Sequence, residues 1–137
     1  MKKDKLGFYK NKHASFLLQY HLVLVIKYKK PALKGEVDKF IKEYFKYYFN
    51  KNEYNTLEME SNFDHMHILF EAPATISLVS FINGLKTVSS RMARKRFKEN
   101  LDKYFWKPYF WSRSYFIATV SERNTNIVKN YIQKQRG

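Results

Sequence analysis

A chain of 137 residues with 45% hydrophobic and 18% aromatic side chains is long enough to bury one core, and no linker, repeat or low-complexity tract divides it. Lys and Arg number 26 against 12 Asp and Glu, a formal charge of +14 distributed along most of the chain, which points to a polyanionic partner. Anionic membrane and nucleic acid both suit that charge, but the longest clean apolar run, Leu22 to Ile26, is far short of the roughly 20 residues a span needs, and the lack of cysteine excludes disulfides and thiolate metal sites. The chain does not open like a signal peptide, so a cytoplasmic location is expected.

Residues 1–14, with Lys2, Lys3, Lys5, Lys10 and Lys12, read as a loose, solvated basic arm. From Phe16 to Lys27 the residues Phe16, Leu18, Tyr20, Leu22, Leu24 and Ile26 recur at period two, the pattern of a long strand, and Lys27-Tyr28-Lys29-Lys30-Pro31 ends it. After Gly35, the three-and-four spacing of Val37, Phe40, Ile41, Tyr44, Phe45 and Tyr48 predicts an amphipathic helix to about Asn50. Asn55 to Phe63 and His65 to Glu71 have strand character and are expected to pair as a hairpin before Pro73. A second helix is expected from Ile76 to about Lys98, apolar at Leu78, Phe81, Ile82, Leu85, Met92 and Phe97, with Arg91, Arg94, Lys95 and Lys98 on its exposed side. Tyr115 to Val120 reads as the last strand. Thr125 to Gln135, opened by Asn124 as a cap, reads as a last helix carrying Ile127, Val128, Tyr131, Ile132 and Gln135 on one side.

That order predicts an α+β single domain over 1–137: a four-stranded antiparallel sheet with two helices on one face, ferredoxin-like or RRM-like, plus a tyrosine-bearing C-terminal helix over 124–136.

Within it, Asp64-His65-Met66-His67 is the most informative stretch, because a strand sends residues i and i+2 to one face. His65 and His67 then stand side by side on a rigid element, able to hold a divalent cation; two polar residues on a partly open sheet face are the competing reading. Asp64 would point away from the pair in a regular strand, which suits a supporting or turn-capping role better than direct ligation. His21, inside the first strand, reads as a satisfied core histidine. Any one of 11 tyrosines is unremarkable, and Tyr131 on periodicity alone completes an apolar stripe. Gln135, however, lies one helical turn on, so a phenol and an amide oxygen would project to one place.

These residues resemble the single-tyrosine transposases of the HUH class encoded by bacterial insertion sequences, and the resemblance runs nearly end to end. Tyr20-His21-Leu22-Val23 leading to Lys27-Tyr28-Lys29-Lys30 is similar to the family's first strand, and Asp64-His65-Met66-His67 to its HUH motif with Met66 as the hydrophobic member. Lys86-Thr87-Val88-Ser89-Ser90-Arg91 resembles a helix segment in which the family usually carries Gly where this chain has Thr87. Trp111 to Val120 resembles the strand before the catalytic helix, and Val128-Lys129-Asn130-Tyr131-Ile132-Gln133-Lys134-Gln135 the tyrosine motif.

The resemblance implies Tyr131 as nucleophile on a scissile phosphodiester, giving a 5′-phosphotyrosine and a free 3′-hydroxyl, with His65, His67 and Gln135 holding Mg²⁺ or Mn²⁺ and Asp64 supporting them. It also implies a homodimer, in which the tyrosine helix of one subunit can complete the other's site, and recognition of single-stranded DNA hairpins at element ends. DNA contacts are expected from Lys27, Tyr28, Lys29, Lys30, Lys86, Arg91, Arg94, Lys95 and Arg113. Tyr28 and the aromatic cluster from Tyr104 to Trp111 offer faces for unpaired bases, although core packing is the ordinary use of such residues. The alternatives are a host-owned nuclease of the same chemistry acting on hairpin repeats, and a non-catalytic RRM-like nucleic-acid-binding module.

Overall fold

The computed structural model describes residues 17–73, 76–120 and 129–134. Strand β1 (Leu17–Ile26) runs through the middle of a four-stranded sheet, pairing antiparallel with β3 (His65–Pro73) on one side and β4 (Trp111–Thr119) on the other, while β2 (Asn55–Asn62) adds beyond β3. The order is β2-β3-β1-β4, the expected arrangement. β1 and β3 are buried along most of their length, as strands covered from both sides must be, and the edge strands are not.

Helices α1 (Gly35–Lys51) and α2 (Leu78–Arg96) cover one face. Leu22, Leu24 and Ile26 of β1 and Met66, Ile68 and Phe70 of β3 point into that layer, each with no exposed surface. They meet Ile41, Phe45 and Phe49, a one-turn-apart stripe on α1, and Phe81, Ile82 and Leu85 on α2. Burial of each such side chain is worth about 1.5–3 kcal/mol, so this layer supplies most of the stability. α1 carries Glu36 and Asp38 in its first turn and Lys51 in its last, charges placed to suit the helix dipole. The two helices approach at Gly84, where any Cβ would run into the Tyr48 hydroxyl, which itself donates to the Phe81 carbonyl at 3.3 Å.

Two boundaries differ from the sequence expectation. The second helix stops at Arg96, because Phe97 leaves helical geometry (φ −118°, ψ 38°), and a short helix α3 (Lys98–Asp102) follows. The last strand begins at Trp111, four residues before Tyr115: Ser112, Arg113 and Ser114 hide its character, yet Trp111 pairs with Ile26 and its indole N–H donates to Ser89 Oγ at 3.0 Å. The C-terminal helix is present over 129–134, here α4. The arm at 1–14 and the remainder of the expected last helix lie outside the described residues. No described helix is long and apolar enough to cross a membrane.

Candidate active site

Period-two alternation gives the sheet a second face, turned away from α1 and α2. On it the ladder sets His67 opposite Val23 and His65 opposite Val25, and Val23 in turn lies opposite Phe116 of β4. A row His67, Val23, Phe116 therefore crosses three strands, with outer Cα atoms roughly 10 Å apart at the usual strand spacing. α4 lies over this row: the Tyr131 ring stands 5.2 Å from that of Phe116, and Tyr131 and Ile132 pack on Val23 and Val25. The tyrosine and the imidazole pair thus share one face of one sheet within a single chain. The Tyr131 hydroxyl is buried without a hydrogen-bond partner among the described residues, an arrangement that costs stability in a purely structural tyrosine.

The two imidazoles are held differently. His65 Nδ1 lies 2.8 Å from Asp64 Oδ1; as an Nδ1–H donating to the carboxylate, it keeps its Nε2 lone pair for a cation. Asp64 sits in the turn before β3, where strand alternation does not apply, so its carboxylate reaches the ring of its neighbour instead of pointing away from the pair. His67 Nε2 faces His21 Nδ1 at 2.9 Å, the rings nearly parallel at 17° with centroids 5.1 Å apart. Burial holds His67 below the usual 6.5, the His21 imidazole adds to this, and the Glu58 and Glu60 carboxylates oppose it. Burial also lowers His21, against Glu58. Both rings are therefore neutral at pH 7, the form that ligates metal.

His21 corrects the sequence reading. It is buried, but on the imidazole face, and its Nε2 has no partner among the described residues. The signal was in the sequence: Leu22, Leu24 and Ile26 define the helix-facing set, so His21, Val23 and Val25 must face the other way.

Among the described residues no three His, Asp or Glu side chains converge on one point, so a cation held by His65 and His67 needs a further donor. Gln135 lies outside the described residues. The donors present fit a divalent cation nonetheless: two imidazoles on adjacent same-face positions, one oriented by a carboxylate and the other held neutral.

The basic residues expected at DNA divide into two groups. Lys27, Tyr28, Lys29 and Lys30 form the turn at the end of β1, on the edge of the imidazole face, and Lys29 Nζ lies 3.5 Å from the Lys134 carbonyl of α4. The helical layer carries Lys86, Arg91, Arg94 and Lys95, across the sheet from His65 and His67. Arg91 and Lys95 are exposed there. Arg94 is committed to Asp102 at 2.6 Å, and Lys86 is half-buried, donating to the Arg113 carbonyl at 3.0 Å, with burial lowering its pKa. Arg113 stands apart, exposed in the irregular stretch of β4 where the register with β1 shifts between Tyr115 and Trp111.

The profile of the family described as "Transposase IS200 like" matches residues 14–135. The chain is 32% identical over 123 residues to the ISDra2 transposase TnpA of Deinococcus radiodurans, covering 88% of this chain and 85% of that protein. It is also 32% identical over 123 residues to the transposase for insertion sequence element IS200 of Salmonella typhimurium, covering 90% and 80%. In structure it is similar to a putative transposase from Deinococcus radiodurans, with TM-score 0.82, 27% identity, and 93% and 97% of the two chains covered. A REP-associated tyrosine transposase bound to a REP hairpin shares the fold, with TM-score 0.53 and 6% identity over 88% of this chain and 68% of that one.

Proposed function

The chain belongs to the IS200-like transposase family, and we propose that, as a DNA transposase, it cuts and rejoins single-stranded DNA through a covalent bond to Tyr131. The observation that carries this reading is the shared face: an apolar seat of Val23, Val25 and Phe116 fixes the phenol ring over the sheet surface that displays His65 and His67. In the step proposed, Tyr131 Oη attacks the scissile phosphorus, the P–O3′ bond breaks with its electron pair going to the 3′-oxygen, and the phenol loses the proton that the 3′-hydroxyl gains. The 5′-phosphotyrosine conserves the bond energy, and a second 3′-hydroxyl reverses the step to join new ends.

His65 and His67, with Gln135 as the expected third donor, would hold Mg²⁺ or Mn²⁺. When bound, that ion supplies positive charge to the phosphate oxygens. Asp64 fixes the tautomer of His65, and burial keeps His67 neutral. The seat of α4 excludes water from the flank of the phenol and restricts its ring, which reduces the entropy lost on reaching the phosphate.

As substrates we propose hairpins at the ends of the mobile element, a reading supported by the related fold solved with a REP hairpin. A homodimer is proposed from the family resemblance, and the seat of Tyr131 on its own chain supports action within one subunit. Mixing Tyr131→Phe with His67→Ala subunits tests this: restored activity in the mixture would place the tyrosine helix on the partner instead. The central test is incubation with a labelled single-stranded hairpin and Mg²⁺. A denaturation-resistant protein–DNA adduct that Tyr131→Phe abolishes is the expected result, and an adduct of equal yield from that variant would refute the assignment.

A further inference from the structure

The aromatic residues at the open end of the sheet divide sharply by burial. Phe105 and Phe110 are 2% and 1% exposed and fill the core, whereas Trp106 is 73% and Tyr28 56% exposed. Tyr109 stands between those two. Its ring meets Tyr28 edge-on at 5.8 Å and 84°, and Trp106 edge-on at 5.8 Å and 88°. Each edge-to-face contact fixes two rings and takes up one face of one of them, and the exposure of Trp106 and Tyr28 leaves ring surface open to solvent, so the three rings form a braced shelf. Tyr28 and Lys29 adopt left-handed backbone (φ 58° and 53°), a conformation that bulky side chains avoid and that persists where the surrounding structure imposes it, often at functional sites.

Cations surround the shelf. Lys27 Nζ lies 5.2 Å from the Tyr28 centroid and 5.1 Å from that of Tyr109, and Lys107 Nζ lies 4.8 Å from that of Trp106. Beyond Trp106 opens a groove of about 490 Å³ whose one carboxylate, Asp102, is already held by both Arg94 and Lys98 at 2.6 Å. The shelf also adjoins the two halves of the candidate active site. Ile26, two residues before Tyr28, donates its N–H to the carbonyl of Asp64, and Lys29 touches the carbonyl of Lys134 on the tyrosine helix.

We infer that Tyr28, Tyr109 and Trp106 form a stacking shelf for unpaired bases of the DNA strand that flanks the cleavage position, with Lys27 and Lys107 on its phosphates. This rests on the proposed single-strand chemistry and adds to it a base-binding subsite outside the imidazole face. Every base has a π-face, so the shelf favours unpaired over paired nucleotides with little regard to sequence. Stacked duplex bases cannot reach it.

The test uses full-length Tyr131→Phe protein, so that binding is measured without cutting. Of the chain's two tryptophans, Trp111 is 8% exposed, so quenching by a ligand reports on Trp106. Oligothymidylate should quench the emission, and duplex DNA of equal length should not. Trp106→Ala and Tyr28→Ala should each weaken oligothymidylate binding at least about fivefold, the lower end for loss of one stacked base. Neither should weaken binding of an abasic strand of the same length by more than about twofold. Both side chains are largely exposed, so the fold should survive, as judged by an unchanged melting temperature. Equal quenching by duplex, equal loss on the abasic strand, or unchanged affinity in both variants would overturn the shelf. Tighter binding of oligouridylate than oligothymidylate would assign it to RNA and overturn the DNA reading. None of these outcomes bears on adduct formation by Tyr131, which is scored separately with the unmodified tyrosine.

Discussion

The two faces of the sheet are built from alternate residues of the same strands, yet they are different materials. Leu22, Leu24, Ile26, Met66, Ile68 and Phe70 face the helices and are wholly buried in an apolar layer. One residue out of step, His21, His65 and His67 face the other way, together with Val23 and Val25, under a helix that brings a phenol. Those six strand side chains bring no N–H or O–H group into the helix-side layer. The second face holds two buried polar atoms, the ring nitrogen of His21 and the hydroxyl of Tyr131, without partners among the described residues. Buried polar groups of that kind cost free energy unless a ligand completes them, so the stability supplied by the first face supports chemistry on the second.

If that division is real, substitutions on the two faces should separate activity from stability, and the largest separation is expected at Tyr131. Replacing it by Phe removes one buried hydroxyl and keeps the ring on Phe116, so the melting temperature should stay level or rise while covalent attachment to DNA disappears. A clear drop in melting temperature would mean that the hydroxyl is structural. The converse case is Phe70→Ala on the helix side, which strips a ring packed against Tyr20 at 5.4 Å and Phe49 at 5.0 Å. Chemical denaturation should show a loss of about 3–5 kcal/mol. A loss under 1 kcal/mol would mean that the helix-side layer is not the main source of stability.

The same alternation explains what the sequence made legible. The succession of elements along the chain, both long helices and the common face of His65 and His67 follow from periods of 2 and 3.6, because packing on a sheet or a helix leaves that imprint. His21 reads by type as a satisfied core histidine, whereas its odd position in β1 assigns it to the imidazole face, where its Nε2 has no partner among the described residues. For Asp64 the sequence suggests a supporting role but not its geometry: the residue lies in a turn, where alternation does not apply, and its carboxylate reaches the His65 ring. Arg94 could not be sorted from Arg91 and Lys95 by sequence, since its commitment to Asp102 depends on the turn after Phe97 that starts α3. The shelf was half legible: composition flagged Tyr28 and the cluster from Tyr104 to Trp111, but a ring that faces solvent and one that fills the core look alike in a sequence.

Smaller effects test how the second face is tuned. Asp64→Ala frees the His65 ring to rotate and to change tautomer, and outer partners of metal-bound histidine are typically worth 10–100-fold in affinity. Titration calorimetry with Mn²⁺ should show a weakening in that range. Asp64→Asn keeps an oxygen acceptor for Nδ1–H and should recover most of it. Equal loss in both variants would show that charge matters more than orientation.

The smallest expected effect asks which side of the protein DNA follows. Arg91 and Lys95 stand on the helical layer, whereas Lys30 caps the turn at the end of β1, next to Lys29, which reaches the tyrosine helix. For single strands, each neutralised phosphate contributes about −0.7 to the slope of log affinity against log salt. Lys30→Ala should therefore flatten that slope by up to about 0.7, while Arg91→Ala and Lys95→Ala should leave it unchanged. A flattening confined to the helical pair would mean that the strand wraps the sheet from behind. The two faces would then be joined by the nucleic acid as well as by the strands they share.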